Sequence, residues 1–544
     1  MSSPLHQAIK SGALRDGVTP YSNVEPLTAA KQVLENKYVF PYVGELPVWA
    51  NGTLQWKPDF GNNKASKALW FYSLVFIDYL VKAAVVENNE HCWQKALQLH
   101  KSYQQWREDD QTATAFLFKD EHAVTNRACV LSQLLHVVTH RVEQGEPLQL
   151  LQQQLLQDLS EHANWLEQDK HYVFNNHGIM MDRALLNLVV QFRQHAVEYS
   201  RYQSEQWLVK ALSRIKIMLD RTFDNGGCCT ENSPSYHMLN LSLFGAINSF
   251  IKKHELVAKD NAITEVLKKA IAAAAYQVYE DGSLPLIGDS ETNASVFVSD
   301  TYHKNKFGVG YFPEAGFCIV KQPGFHFTFK CGGSSFSHRH NDDTSITLRV
   351  DGLDFICDGG MYSYDNSNDI RRFLTSYKAH SGFFTENCAN VRYSNYAAAD
   401  ELARMNTMDN HGKIIHMSGD SFLDPNVGLK RQITLLGEQE NQFNKVLLCD
   451  RLKADQAAQW RLQFLLHPDV VVTQVGEQVK LQRQHVYLLL SFNSTSAVAL
   501  NIEPGHYSER YQQVQPCKVL VLTGLDPKLE INTLITIHQG PKHD

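Results

Sequence analysis

Apolar residues in the first half of the chain recur at three- and four-residue steps. Leu148, Leu151, Leu155 and Leu159 mark one face of a helix in this way. The segment LWFYSLVFIDYLVKAA, from Leu69, is apolar on more than one face and predicts a single buried helix. Further helices are predicted near 127–143, 181–199, 204–223, 236–253 and 262–279, with connections containing Gly, Pro and Asn and no strict repeat. Antiparallel helical hairpins, curled into a toroid, are the simplest arrangement. After Tyr311 the period shortens to β-type runs: GFCIVKQ, FHFTFKCG, TSITLRV, LDFICDGG, KVLLCDRL, VYLLLSF and CKVLVLTG. Turn residues separate them, as in a sandwich of antiparallel strands. Helices first and strands second predict two domains, residues 1–310 and 311–544, with turn-rich DGSLPLIGDS (281–290) as the hinge.

Composition narrows the class. The 544 residues exceed one ordinary domain, and 43% hydrophobic with 20% charged residues is usual for globular protein. A formal net charge of −7 argues against a nucleic-acid partner. No apolar run reaches the roughly 20 residues of a membrane span. MSSPLHQAIKSGALRDG has no apolar core or cleavage-site pattern, so a cytoplasmic protein is expected, or a periplasmic one if a leader has been removed. The ten cysteines form no CxxC pair, and several sit inside apolar strand-like runs, which fits a reducing compartment. The oligomeric state is left open, a dimer included.

Four segments carry candidate chemistry. Asn175-Asn176-His177-Gly178 precedes a helical run and reads on its own as a cap and turn. GGCCTENSPSYHMLN holds Glu231, Tyr236 and His237, with Pro234 suited to a first helical turn that presents Tyr236 rigidly. In SFSHRHNDDTSITLRV, strand geometry would put His338 and His340 on one face. DGGMYSYDNSNDIRRFLTSYKAHS adds Asp358 and His380, and with His340 these make a donor set suited to zinc. Arg339, Arg371, Arg372 and Lys378 lie close by in sequence, a local positive field fit for an anionic substrate. Arg183, after the NNHG turn, is a further candidate for that field.

Taken in order, the W-rich region before LWFYSLVFIDYL, NNHG, SPSYH, LIGDS, SHRHNDDTS, DGG and Ala379-His380-Ser381 resemble the heparinase II/III superfamily of polysaccharide lyases. The resemblance covers most of the chain. It implies an α/α-toroid followed by an antiparallel β-sandwich. It also implies that Asn176 and His177 contact and neutralise a substrate carboxylate, that Tyr236 is the catalytic tyrosine, and that His338 can act as base. His340, Asp358 and His380 match zinc ligands, and Tyr362 a tyrosine that lines the site. One departure stands out: many relatives have AHN where this chain has His380-Ser381, which puts the local hydrogen bonding in question rather than the ligand.

The implied reaction is β-elimination on a uronic-acid-containing polysaccharide, glycosaminoglycan-like or alginate-like. A base removes the C5 proton, an acid protonates the leaving O4, and donors stabilise the enolate-like charge on the carboxylate. With hydrogen and leaving group on one face, as in glucuronate, Tyr236 can serve both roles, which needs a depressed phenol pKa. On opposite faces, as in iduronate, His338 takes the proton and Tyr236 donates one. A uronyl C5-epimerase, which returns the proton without losing the leaving group, and a non-catalytic glycan-binding or polysaccharide-assembly protein are the alternatives.

Overall fold

The structure is a computed structural model describing residues 24–195, 198–257, 262–293, 306–387, 402–424, 426–439 and 442–541. The chain divides into two compact units, residues 1–218 with 246–259, and residues 219–245 with 260–544. Secondary structure is mainly helical up to Gln277, apart from two short antiparallel strand pairs within residues 38–54, and from Gly308 antiparallel strands dominate.

The first unit is built on helices α1 (Pro26–Leu34), α2 (Lys64–Tyr72), α3 (Val75–Val86), α4 (Glu90–Asp109), α5 (Ala113–Leu117), α6 (Glu121–Glu143), α7 (Gln149–Leu166) and α8 (Asn176–Gln194). Their starts follow capping rules: Asn89, Asp120 and Asn175 each accept a backbone N–H of the first turn. The single helix expected from Leu69 is instead two, α2 and α3, bent by 41°. Leu74 adopts a left-handed backbone (φ 59°) between them, and Ser73 Oγ caps the first by donating to Leu69 O at 2.8 Å. The apolar, all-round character was read correctly: Val75 to Ala84 are all buried. No single helix among the described residues is long and apolar enough to cross a membrane.

Helix α9 (Glu198–Thr222) is followed by α10 (Pro234–Lys253), which starts on the proline as the sequence suggested, and by α11 (Ala262–Gln277). In the second unit a five-stranded antiparallel meander, β1 (Gly308–Phe312), β2 (Phe317–Gln322), β3 (Phe325–Lys330), β4 (Ser345–Val350) and β5 (Leu353–Ile356), comes first. The short α12 (Asp369–Thr375) and β6 (Phe383–Thr385) follow. A ten-stranded antiparallel sheet then includes β6 and β7 (Ala403–Asn410), β8 (Ile414–Ser421), β9 (Val427–Gln439), β10 (Gln442–Leu465), β11 (Val471–Val475), β12 (Gln478–Arg483), β13 (Val486–Ser494), β14 (Ala499–Arg510) and β15 (Gln513–Gln539). β2 and β3 are buried at every position, whereas β9 alternates buried and half-buried residues, the pattern of a strand with one wet face. One apolar cluster draws on both sheets, from Val320, Phe327 and Leu348 to Leu448, Leu488 and Ile535. The nine described cysteines are free thiols, eight of them buried.

Candidate active site and metal centre

The second unit gathers its polar residues from four separated segments around one carboxylate, Asp289. Asn232, itself left-handed at φ 59°, donates to Ser335 O (2.8 Å) and Ser337 O (3.1 Å), tying the loop before α10 to the histidine loop. Ser233 Oγ lies 2.8 Å from Ser290 Oγ and 3.0 Å from Asp289 O, which ties the same loop to LIGDS. Gly288 is required here: it has φ +58°, and a Cβ would sit 2.4 Å from Asn232 O and 2.9 Å from His338 O.

Asp289, 3% exposed, meets three side chains. Its Oδ2 lies 3.0 Å from His338 Nδ1, its Oδ1 lies 2.8 Å from His340 Nε2, and Arg371 donates to both oxygens. Burial alone would raise the Asp289 carboxyl pKa, but the hydrogen bonds from His338, His340 and Arg371 outweigh it and hold the group well below the usual carboxylate range. An ionised carboxylate only accepts, so each imidazole nitrogen facing it carries the proton. In the neutral ring this leaves the lone pair of His338 on Nε2 and that of His340 on Nδ1.

Tyr236, in the first turn of α10, stacks on His338 with ring centroids 3.4 Å apart and an 18° interplanar angle. Its hydroxyl is 2.6 Å from that of Tyr364. Burial, with the Tyr364 hydroxyl and nearby carboxylates, pushes the Tyr236 phenol far above its ordinary value. Burial likewise raises Tyr364 to about 12. The depressed phenol that a single-residue acid and base would need is thus not what this environment produces. Glu231, mostly buried and also raised by burial, accepts from Asn240 Nδ2 at 3.2 Å.

His340, Asp358 and His380 converge, all buried, with one candidate ligand atom from each lying within 4.8 Å of the others. Backbone pairing sets this up: Gly359 N–H donates to Ala379 O at 3.0 Å, drawing Asp358 and His380 together. His380 Nδ1 is 2.8 Å from Asp358 Oδ2. The residues fit a cation on two counts. Asp358 Oδ1 and both carboxylate oxygens of Asp342 are buried without a hydrogen-bond partner, an expense that a positive charge would offset. His340 also turns its other ring nitrogen, Nε2, to Asp289, the outer carboxylate contact that metal-bound histidines usually make. The serine that departs from AHN is fully used: Ser381 Oγ donates to Cys357 O and accepts from Leu465 N–H, both at 2.9 Å.

Several expectations need correction. His338 and His340 do not share a strand face. They lie in a loop before β4, His338 is left-handed (φ 55°), and Asp289 is what joins them. Tyr364, not Tyr362, reaches Tyr236, and Tyr362 packs on the cluster of Leu286, Leu374 and Tyr507 instead. His237 is fully buried and turned into the fold: Cys229 N–H donates to its Nδ1 (3.1 Å) and its Nε2 pairs with Ala270 O (2.9 Å). Burial lowers it to about 4. Arg339, 3% exposed, gives its guanidinium to both oxygens of Asp343. Arg371 is committed to Asp289, whereas Arg372 is exposed and pairs with Asp369. Asp289 and Tyr364 were missed by sequence reasoning. The only signal for Asp289 was its place in LIGDS, read as a hinge.

In the first unit, Asn175 accepts from His177 N–H at 2.9 Å and starts α8 on Asn176. Gly178 permits close approach, since a Cβ there would lie 2.0 Å from Val173 O. His177 Nδ1 lies 3.0 Å from Glu121 Oε1, and its ring centroid is 4.7 Å from that of His122. Arg183 is partly buried further along the same helix.

Residues 305–535 match the family model described as heparinase II/III-like, C-terminal. Among solved structures, the fold matches a heparan sulfate lyase, HepC from Pedobacter heparinus, with a TM-score of 0.74 and 16% identity over 99% of this chain and 88% of that one. It matches a heparinase III, the BT4657 gene product with methylated lysines, with a TM-score of 0.76 and 12% identity over 97% and 85%. A further heparinase III structure gives a TM-score of 0.72 and 16% identity over 99% and 86%. Among curated protein sequences nothing matches the chain. At such identities the structural likeness establishes the fold.

Proposed function

From a chain that is heparinase II/III-like, as its motifs, its family match and its fold agree, we infer a polysaccharide lyase that breaks a uronic-acid-containing polymer by β-elimination. The observation that carries this reading is the stacked Tyr236–His338 pair, with His338 oriented by Asp289. The reading includes the family's architecture, an α/α-toroid and a β-sandwich, with domains at 1–310 and 311–544.

In this reaction His338 Nε2 takes the C5 proton. The C5–H electrons form the C4=C5 double bond as the C4–O4 bond breaks, and the Tyr236 hydroxyl protonates the departing O4. A raised phenol pKa suits Tyr236 to donating and leaves abstraction to His338, so the divided roles fit best. Stacked 3.4 Å apart, the two rings lie on one side of a sugar bound against them, so an iduronate-type residue, with hydrogen and leaving group on opposite faces, requires the rings to part around it. Asn176 and His177 are assigned by the sequence resemblance to the carboxylate, where their donors lower the cost of enolate charge. His340, Asp358 and His380 would hold zinc, which favours nitrogen and oxygen donors of these types. When bound, it supplies a rigid anchor for the loop carrying His338.

Incubation of the purified protein with a panel of uronate polysaccharides, with products identified by mass and ultraviolet absorbance, tests the reading. Unsaturated uronate ends support it. Solvent-deuterium uptake at C5 without chain cleavage would assign an epimerase, and binding without any turnover would assign a glycan-binding protein.

A further inference from the structure

The hairpin joining β14 to β15 closes at Arg510 and Gln513, so Tyr511 and Gln512 form its tip. This tip is fastened to the site from two sides. Tyr511 N–H donates to Glu291 Oε1 at 2.9 Å and Thr292 N–H to Glu509 O at 3.1 Å, both from the segment following Asp289. Gln512 N–H donates to Tyr362 O (2.8 Å) and Ser508 N–H to Gly359 O (3.0 Å), both in the segment following Asp358. Ser508, fully buried, adds its hydroxyl 2.6 Å from Met361 O. Gln512 takes the left-handed backbone (φ 58°) that such a tight turn demands.

What this anchoring holds in place is an exposed aromatic ring beside another. Tyr511 is 44% exposed and Tyr364 52%, with ring centroids 6.2 Å apart. Tyr364 is the residue whose hydroxyl meets Tyr236, and the Arg371 guanidinium lies 6.0 Å from its ring. Two large rings, each about half exposed beside a reactive pair and one of them on an anchored hairpin, offer preorganised amphipathic area for a ligand to cover. Tyrosine offers rigid amphipathic area at little entropic cost. We propose that Tyr364 and Tyr511 form a subsite that stacks on the apolar C–H face of the pyranose ring next to the uronate being cleaved. This rests on the polysaccharide-lyase reading and extends it to chain recognition by a neutral contact, which a protein of net charge −7 can make without electrostatic help.

Tyr511→Ala and Tyr511→Phe in the full chain test the subsite, using a uronate oligosaccharide that the wild type cleaves. Stacking contacts of this kind are worth roughly a 2- to 10-fold change in affinity. The expected result is a KM raised by that factor in Tyr511→Ala, with kcat altered less than about twofold, and a near-normal KM in Tyr511→Phe. Calorimetry in a Tyr236→Phe background, where turnover is blocked, should show the same rise in Kd. An unchanged KM in Tyr511→Ala with active wild type would overturn the subsite alone. A Tyr511→Phe variant as impaired as Tyr511→Ala would overturn stacking in favour of the hydroxyl. A wild type that neither cleaves nor binds any uronate polymer would overturn the lyase reading and the subsite together.

Discussion

Replacing Asp289 by asparagine probes the centre of the site, because the change keeps shape and removes charge. Asp289 accepts from His338, His340 and twice from Arg371, so in either orientation the amide nitrogen of asparagine faces donors. At least two hydrogen bonds are lost, each worth about 1.5–3 kcal/mol when a charged group is involved. Arg371, only 5% exposed, also loses its counter-charge, and breaking a buried ion pair typically costs about 3–5 kcal/mol. These costs overlap, so the net loss is set at about 3–5 kcal/mol. At roughly 2–4 °C per kcal/mol for a large domain, Tm should fall by on the order of 10 °C. His338 also loses the group that fixes its tautomer, so kcat should drop about 10²–10⁴-fold, the range for a general acid–base residue. Differential scanning calorimetry and initial-rate kinetics on the refolded variant measure the two effects. An Asp289→Asn protein with wild-type Tm and wild-type kcat would refute the claim that this carboxylate organises the site.

Protein purified without chelators should carry about one zinc per chain by elemental analysis, and His380→Ala should lose it; metal-free wild type would remove the centre. Stripping the metal should also lower Tm, because a ligand bound only to the native state stabilises it by linkage. The pH dependence of stability should bear the mark of His237, whose folded pKa of about 4 lies below the unfolded value of about 6.5. Between those values the unfolded chain binds more protons, so stability is full above about pH 6.5 and is lost as pH falls toward 4. At pH 5 this amounts to roughly 2 kcal/mol, and His237→Gln should flatten the Tm-versus-pH curve; identical slopes in variant and wild type would contradict it.

The order of helices and strands was written plainly in the chain, because periods of 3.6 and 2 are set by which faces are buried. The segments β7 and β8 were not. ARMNTMDN and IIHMSGDS mix polar residues into strands that pair at the edge of the larger sheet, where one face stays wet. The break at Leu74 was equally hidden, since no glycine or proline announces it and the left-handed turn is held by tertiary packing. Within the site, spacing identified His340, Asp358 and His380 as a group, because a metal centre demands donor types that are rare in combination. Spacing misled for Arg339 and His237, whose burial partners, Asp343 and the Ala270 carbonyl, depend on loop paths no local pattern encodes. Asp289 escaped for the opposite reason: a single acid in a turn-rich stretch looks like a turn, and its importance comes only from what three distant segments bring to it.

The claim that this chain is a lyase using Tyr236 as acid and His338 as base is tested most directly by following ultraviolet absorbance of the C4=C5 product. The measurement compares wild type with Tyr236→Phe on an iduronate-containing polymer. The account predicts steady growth of absorbance for the wild type and a rate at least about 10²-fold lower for Tyr236→Phe at an unchanged Tm, because only the hydroxyl is removed. Equal rates for the two proteins would contradict it.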